Sequence, residues 1–82
     1  MIKLGCTSMN LLKRCVIKYN PLLLSAIEDP IKDDYTSDFY NKLRDIVGEE
    51  FIQKGLLEND EPNEYGLVLE DLIDELGRFV LR

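Results

Sequence analysis

The chain has no histidine and no tryptophan, and its only serines are Ser8, Ser25 and Ser37. Lack of histidine removes the commonest general base and the commonest neutral metal ligand. Ser8 and Ser37 stand just before helical patterns, where they read as N-caps rather than nucleophiles. The two cysteines, Cys6 and Cys15, both lie in the first fifth of the chain, so a bridge between them would close only a short loop. No secreted disulfide framework is expected. As nucleophiles they would need activation by a lysine or a helix terminus. Neither a CxxC pair nor a glycine-rich phosphate loop occurs, so no enzymatic activity and no cofactor are expected.

Long apolar runs are missing as well. No window approaches the ~18 uninterrupted apolar residues of a membrane span. Leu22–Leu24 is too short for a signal peptide and is preceded by Lys13, Arg14 and Lys18. A cytoplasmic protein without a membrane partner is the expectation. Basic charge is scarce outside the first 20 residues, which hold Lys3, Lys13, Arg14, Lys18 and no acid. Residues 21–82 hold six bases and sixteen acids, a net −10 within a total of −6. Such a body repels phosphate, which argues against nucleic acid and for a basic protein partner.

What is present is enough for one small domain, residues 1–82. At 45% hydrophobic and 32% charged the chain is ordinary for a globular protein. A chain of 82 residues buries only about 60–65% of its unfolded surface, so the core is thin and a homodimer is an open alternative. Met1–Thr7 shows no period and reads as an unstructured leader. From Ser8, Met9, Leu12, Cys15 and Val16 share one helical face. Asn20-Pro21 marks the start of a short, apolar, buried helix from Leu22 to about Ile27, stopped by Pro30. Residues 31–36 form a loop, and Thr36 or Ser37 caps a longer helix with Asp38 in its first turn. Its stripe is Phe39, Tyr40, Leu43, Ile46, Val47 and Phe51, with a kink expected near Gly48. Gly55 fits the left-handed position that closes helices. Leu56-Leu57 and the polar connector ENDEPNE lead to the last helix, which starts between Pro62 and Glu64. Strand-like alternation is absent, and the fold class is all-α, a small bundle of three to four helices.

The last helix, EYGLVLEDLIDEL, has the clearest pattern. At ~100° per residue, Tyr65, Val68, Leu69, Leu72, Ile73 and Leu76 fall on one side. Glu70, Asp71 and Asp74 fall on the other, with Glu75 at the boundary. Phe79 and Val80 continue the apolar face if the helix runs past Gly77. Glu70 and Asp74, like Asp71 and Glu75, are one turn apart. Without histidine or a facing acidic helix, these pairs predict no metal site. Like charges at that spacing destabilise a helix by ~0.2–0.5 kcal/mol per pair, and the only nearby base is Arg78. The bland reading is a solvated face. The functional reading is a partner-binding surface made of this stripe, the connector acids Glu58, Asp60, Glu61 and Glu64, and Tyr65 as aromatic anchor.

EYGLVLEDLIDEL resembles the E-[YW]-G-L-A-L-E-x-L-x-D-x-L segment of MafI-type immunity proteins, partners of MafB-like polymorphic and contact-dependent inhibition toxins. The matching positions are Glu64, Tyr65, Gly66, Leu67, Leu69, Glu70, Leu72, Asp74 and Leu76. Val68 replaces the usual small residue, and Ile73 a common cysteine. The resemblance implies a helical inhibitor that binds one bacterial toxin domain, often a nuclease, by stoichiometric protein–protein contact. The rival is a structural or regulatory helical module that oligomerises through an apolar edge of Phe79, Val80 and Leu81.

Overall fold

A computed structural model describes residues 4–29 and 35–80 of the chain. The architecture among them is all-α. Helix α1 spans Cys6–Tyr19, a 3₁₀ turn at Pro21–Leu23 leads into the short α2, Leu24–Glu28, and two long helices follow, α3 (Ser37–Lys54) and α4 (Glu64–Val80). Met1–Lys3, most of the expected loop (residues 30–34), Leu81 and Arg82 lie outside the described residues, as does the side chain of Val80.

The long helices bury the stripes their periodicity marks. Leu12, Cys15 and Val16 of α1, Leu43 and Val47 of α3, and Leu69, Leu72 and Leu76 of α4 are fully buried, joined by Ile27 of α2. Each fully buried aliphatic side chain contributes about 1.5–3 kcal/mol relative to exposure. Tyr40 near the start of α3 stacks on Phe79 near the end of α4, with ring centroids 4.9 Å apart, so these helices are antiparallel. Ser8, early in α1, donates a 2.8 Å hydrogen bond to Glu75, late in α4, so α1 is antiparallel to α4 and parallel to α3.

That hydrogen bond corrects the expected first cap. Helix α1 begins at Cys6 after Gly5, with no side-chain cap, and Ser8 lies inside it, its hydroxyl taken by a neighbouring helix. Leu4 packs against the core, and Cys6 and Thr7, within the stretch expected to be a leader, are helical. The second segment is also less buried than its composition suggests. Leu22 is 86% exposed and only Ile27 is buried. A 3₁₀ turn advances three residues per turn and α2 adds only five residues, so consecutive leucines cannot share one face.

Thr36 caps α3 as expected, its Oγ1 accepting the Phe39 N–H at 3.1 Å. No separate segment begins at Glu49, and α3 runs as one helix through Gly48 to Lys54. Gly55 follows it with φ −97°, not left-handed. Glycine is required there for clearance instead: a Cβ on Gly55 would stand 2.8 Å from the Phe51 carbonyl oxygen and 3.0 Å from Gly66 Cα. A Cβ on Gly66 would stand 2.1 Å from the Gly55 oxygen. The end of α3 and the start of α4 therefore touch backbone to backbone.

The connector is tightly folded around that contact. The Leu57 N–H donates to Glu61 O at 2.7 Å and the Asn63 N–H to Gly55 O at 2.9 Å, pairing Leu56 with Pro62. Asp60 takes the left-handed conformation of the turn, φ 66°. Asn63 caps α4, its Oδ1 accepting the Gly66 N–H at 2.7 Å, while its Nδ2 donates to Lys54 O at 3.0 Å. Gly77 does not end α4, which continues to Val80 with the Arg44 guanidinium packed over the glycine.

Candidate functional site

The nine candidate binding residues separate into two groups. Glu58, Asp60, Glu61, Glu64, Glu70, Asp71 and Asp74 are exposed. None of their carboxylates takes part in a hydrogen bond or ion pair among the described residues. Tyr65 and Glu75 face inward. Glu75 receives the Ser8 hydroxyl, and the Tyr65 hydroxyl donates to Glu50 Oε2 at 2.7 Å. Tyr65 is thus a structural member of the bundle, its ring packed on the core.

On α4 the free acids form a strip. Glu64 to Asp74 spans about 15 Å of helix axis, and the connector acids adjoin its Glu64 end. Leu67, 53% exposed, projects from the middle of this strip. Helical spacing puts Glu64, Glu70 and Asp71 three or four residues from it and Asp74 seven away, so an apolar side chain sits inside a ring of carboxylates. Val68 beside it is 46% exposed, although it belongs to the apolar arc by angle. It borders the space between α1 and α4. They leave an open groove of about 290 Å³, lined by Thr7, Asn10, Leu11 and Arg14 on one side and Tyr65 and Val68 on the other.

The strongest polar constellation is one that sequence reading missed. Glu50, on the buried face of α3, is only 7% exposed. Its Oε1 accepts Lys18 Nζ at 2.8 Å and the Tyr19 hydroxyl at 2.9 Å, and its Oε2 accepts Tyr65. One carboxylate thereby joins α1, α3 and α4. Burial pushes the Glu50 carboxyl up, but the hydrogen bonds from Lys18, Tyr65 and Tyr19 together outweigh it and hold it below its ordinary value. Lys18 is raised by the same carboxylate. Burial, then the bond to Glu50, raises both tyrosines. Lys18 Nζ also lies 5.2 Å from the Tyr19 ring centroid, close enough for a cation–π contact. A signal for Glu50 existed: it stands three, four and seven residues after Val47, Ile46 and Leu43, a charge inside an apolar arc.

Burial and the nearby Glu50 charge push the Cys15 thiol up to about 11, so it is protonated at neutral pH. Cys6 and Cys15 are both free, the former exposed. Among the described residues no three His, Cys, Asp or Glu side chains are grouped to hold a metal ion. No described helix is long and apolar enough to cross a membrane. At the other end of the bundle Phe79, partly buried, stacks on Tyr40, which also meets Tyr35 and Phe39 edge to face.

No protein family, curated protein or solved structure matches the chain.

Proposed function

We propose that this protein is a stoichiometric binding protein that neutralises a basic bacterial toxin domain, the role its last helix suggests by resemblance to MafI-type immunity proteins. The observation that carries the reading is the exposed Leu67 set among the uncompensated carboxylates of Glu64, Glu70, Asp71 and Asp74. An apolar anchor ringed by charge is the usual layout of a recognition surface, with the centre supplying affinity and the rim supplying rate and selectivity. Glu58, Asp60 and Glu61 extend the acidic rim onto the connector. The −10 body suits a cationic surface such as that of a nuclease. Tyr65 supports α4 from within, through its hydrogen bond to Glu50.

The test is co-expression with the products of the genes that flank this chain's own, each first assayed alone for growth arrest. The wild-type chain restores growth and co-purifies with the toxin in equimolar amounts. The Glu70→Lys/Asp74→Lys double variant keeps its helical circular dichroism but loses protection, and binding by the wild type weakens with added salt. Growth that the wild type fails to restore, or binding indifferent to both charge reversal and salt, refutes the proposal.

A further inference from the structure

The groove between α1 and α4 lies beside the acidic strip but is chemically distinct from it. Its floor is apolar: Leu11 and Tyr65 are largely covered, and Val68 is half-exposed at the rim. Thr7, Leu11 and Arg14 repeat every three or four residues along α1, giving the groove a length of about two helical turns, ~10 Å. Its ~290 Å³ is at the lower limit for small-molecule pockets, about 300–1,000 Å³, and it is open along its length. A small ligand would remain largely in water there. One or two side chains presented by another helix would not.

Arg14 is the one charged residue of the groove lining, and acids flank the groove from just outside it on α4. On the α4 side Glu64 and Asp71 stand one turn before and one turn after Val68, both exposed and unpaired. Across the groove Arg14 is exposed, and it too makes no ion pair among the described residues. A uniformly cationic segment would be attracted by one wall and repelled by the other. From this complementarity we infer that the groove receives an amphipathic helix of the partner protein, with lysines or arginines on the flank facing α4 and none on the flank facing Arg14. Its apolar residues cover Leu11, Tyr65 and Val68, completing a four-helix arrangement in the way helix-in-groove recognition does elsewhere. The inference rests on the reading of this protein as a binder of basic partners, and it adds the secondary structure, polarity and orientation of the bound element.

The probe is a labelled synthetic helix with a leucine stripe flanked by lysines on one side and glutamines on the other. A scrambled peptide of the same composition is the control, and binding is read by fluorescence anisotropy. The patterned peptide binds the full chain more tightly than the scrambled one. Asn10→Trp, which fills the groove from an exposed position, and Val68→Ser, which makes its rim polar, each weaken binding roughly tenfold or more, the loss of one buried apolar side chain. Circular dichroism checks that both variants stay folded. Equal binding of the two peptides, no binding, or indifference to both groove variants overturns the inference. The co-expression assay separates this failure from failure of the proposed function. If Asn10→Trp and Val68→Ser still protect cells as the wild type does, the groove is excluded while the toxin-binding role stands. If the wild type does not protect, the function itself fails.

Discussion

Replacing Gly66 with alanine and, separately, Gly48 with alanine makes the same chemical change in the first turn of α4 and the interior of α3, with opposite expected results. Alanine is favoured over glycine in a helix by about 1 kcal/mol, so propensity alone predicts that both variants are more stable. At Gly48 nothing lies within 4 Å of the added methyl group, and that gain is realised. At Gly66 the methyl would stand 2.1 Å from the carbonyl oxygen of Gly55, 3.0 Å from its carbon and 3.2 Å from its Cα. All three are backbone atoms, so no flexible side chain can turn away, and the ends of α3 and α4 must separate. Overpacking costs about 1–3 kcal/mol. The separation also strains the Asn63 cap on the Gly66 N–H, a cap of a kind worth ~1 kcal/mol, and the Asn63 bond to Gly55. Against a propensity gain of about 1 kcal/mol, Gly66→Ala should lose about 1–3 kcal/mol net. For a domain of this size each kcal/mol moves Tm by roughly 4–8 °C. Thermal melts followed at 222 nm should therefore show Gly48→Ala above the wild type and Gly66→Ala below it. A Gly66→Ala protein as stable as the wild type would mean that the backbone contact is absent and that both glycines near it have another explanation.

Other outcomes follow from the Glu50 network and the thiols. The Glu50 carboxyl is held below its ordinary 4.5 in the folded protein, so the stability from its ionised form is present in full above that pH. It is lost as pH falls through the lower folded-state value. Urea midpoints of the wild type should fall in acid more steeply than those of Glu50→Gln, and parallel curves would refute the role given to the charge. Near neutral pH Glu50→Ala should lose about 1–3 kcal/mol, because the Tyr65 hydroxyl and its neighbours lose their acceptor. With an aromatic disulfide reagent at pH 8, one thiol, Cys6, reacts in the native protein and Cys15 reacts only after unfolding. Equal rates for both would contradict the burial of Cys15.

Most of the helical architecture could be read from periodicity. The residues that departed from it did so for local reasons. Leu69, Leu72 and Leu76 were placed in the core by angle alone, because a helix packed on two neighbours buries a wide arc. Val68 lies in the same arc and is half-exposed, since angle does not reveal the open groove between α1 and α4. Leu67 falls on the outer face by the same arithmetic, but an isolated exposed leucine gains meaning only among unpaired carboxylates. Ser8 had the chemistry of a cap and was claimed by Glu75, a residue 67 positions away that no local rule could supply. Gly48 and Gly55 illustrate the limits of reading glycine. One is tolerated in mid-helix, and the other is needed for clearance rather than for a left-handed turn.

The three-way attachment of Glu50 also bears on the order in which the chain assembles. Helices α3 and α4 are joined by a short, hydrogen-bonded connector, so their pairing closes a small loop and costs little chain entropy. Once they pair, Glu50 already holds Tyr65, 15 residues away, and waits for donors more than 30 residues distant, Lys18 and Tyr19. Helix α1 supplies the remaining two donors to that carboxylate. A helix arriving one turn out of register, about 5.4 Å along its axis, finds no acceptor for either donor. Glu50 thus fixes the register in which α1 packs on α3 and α4.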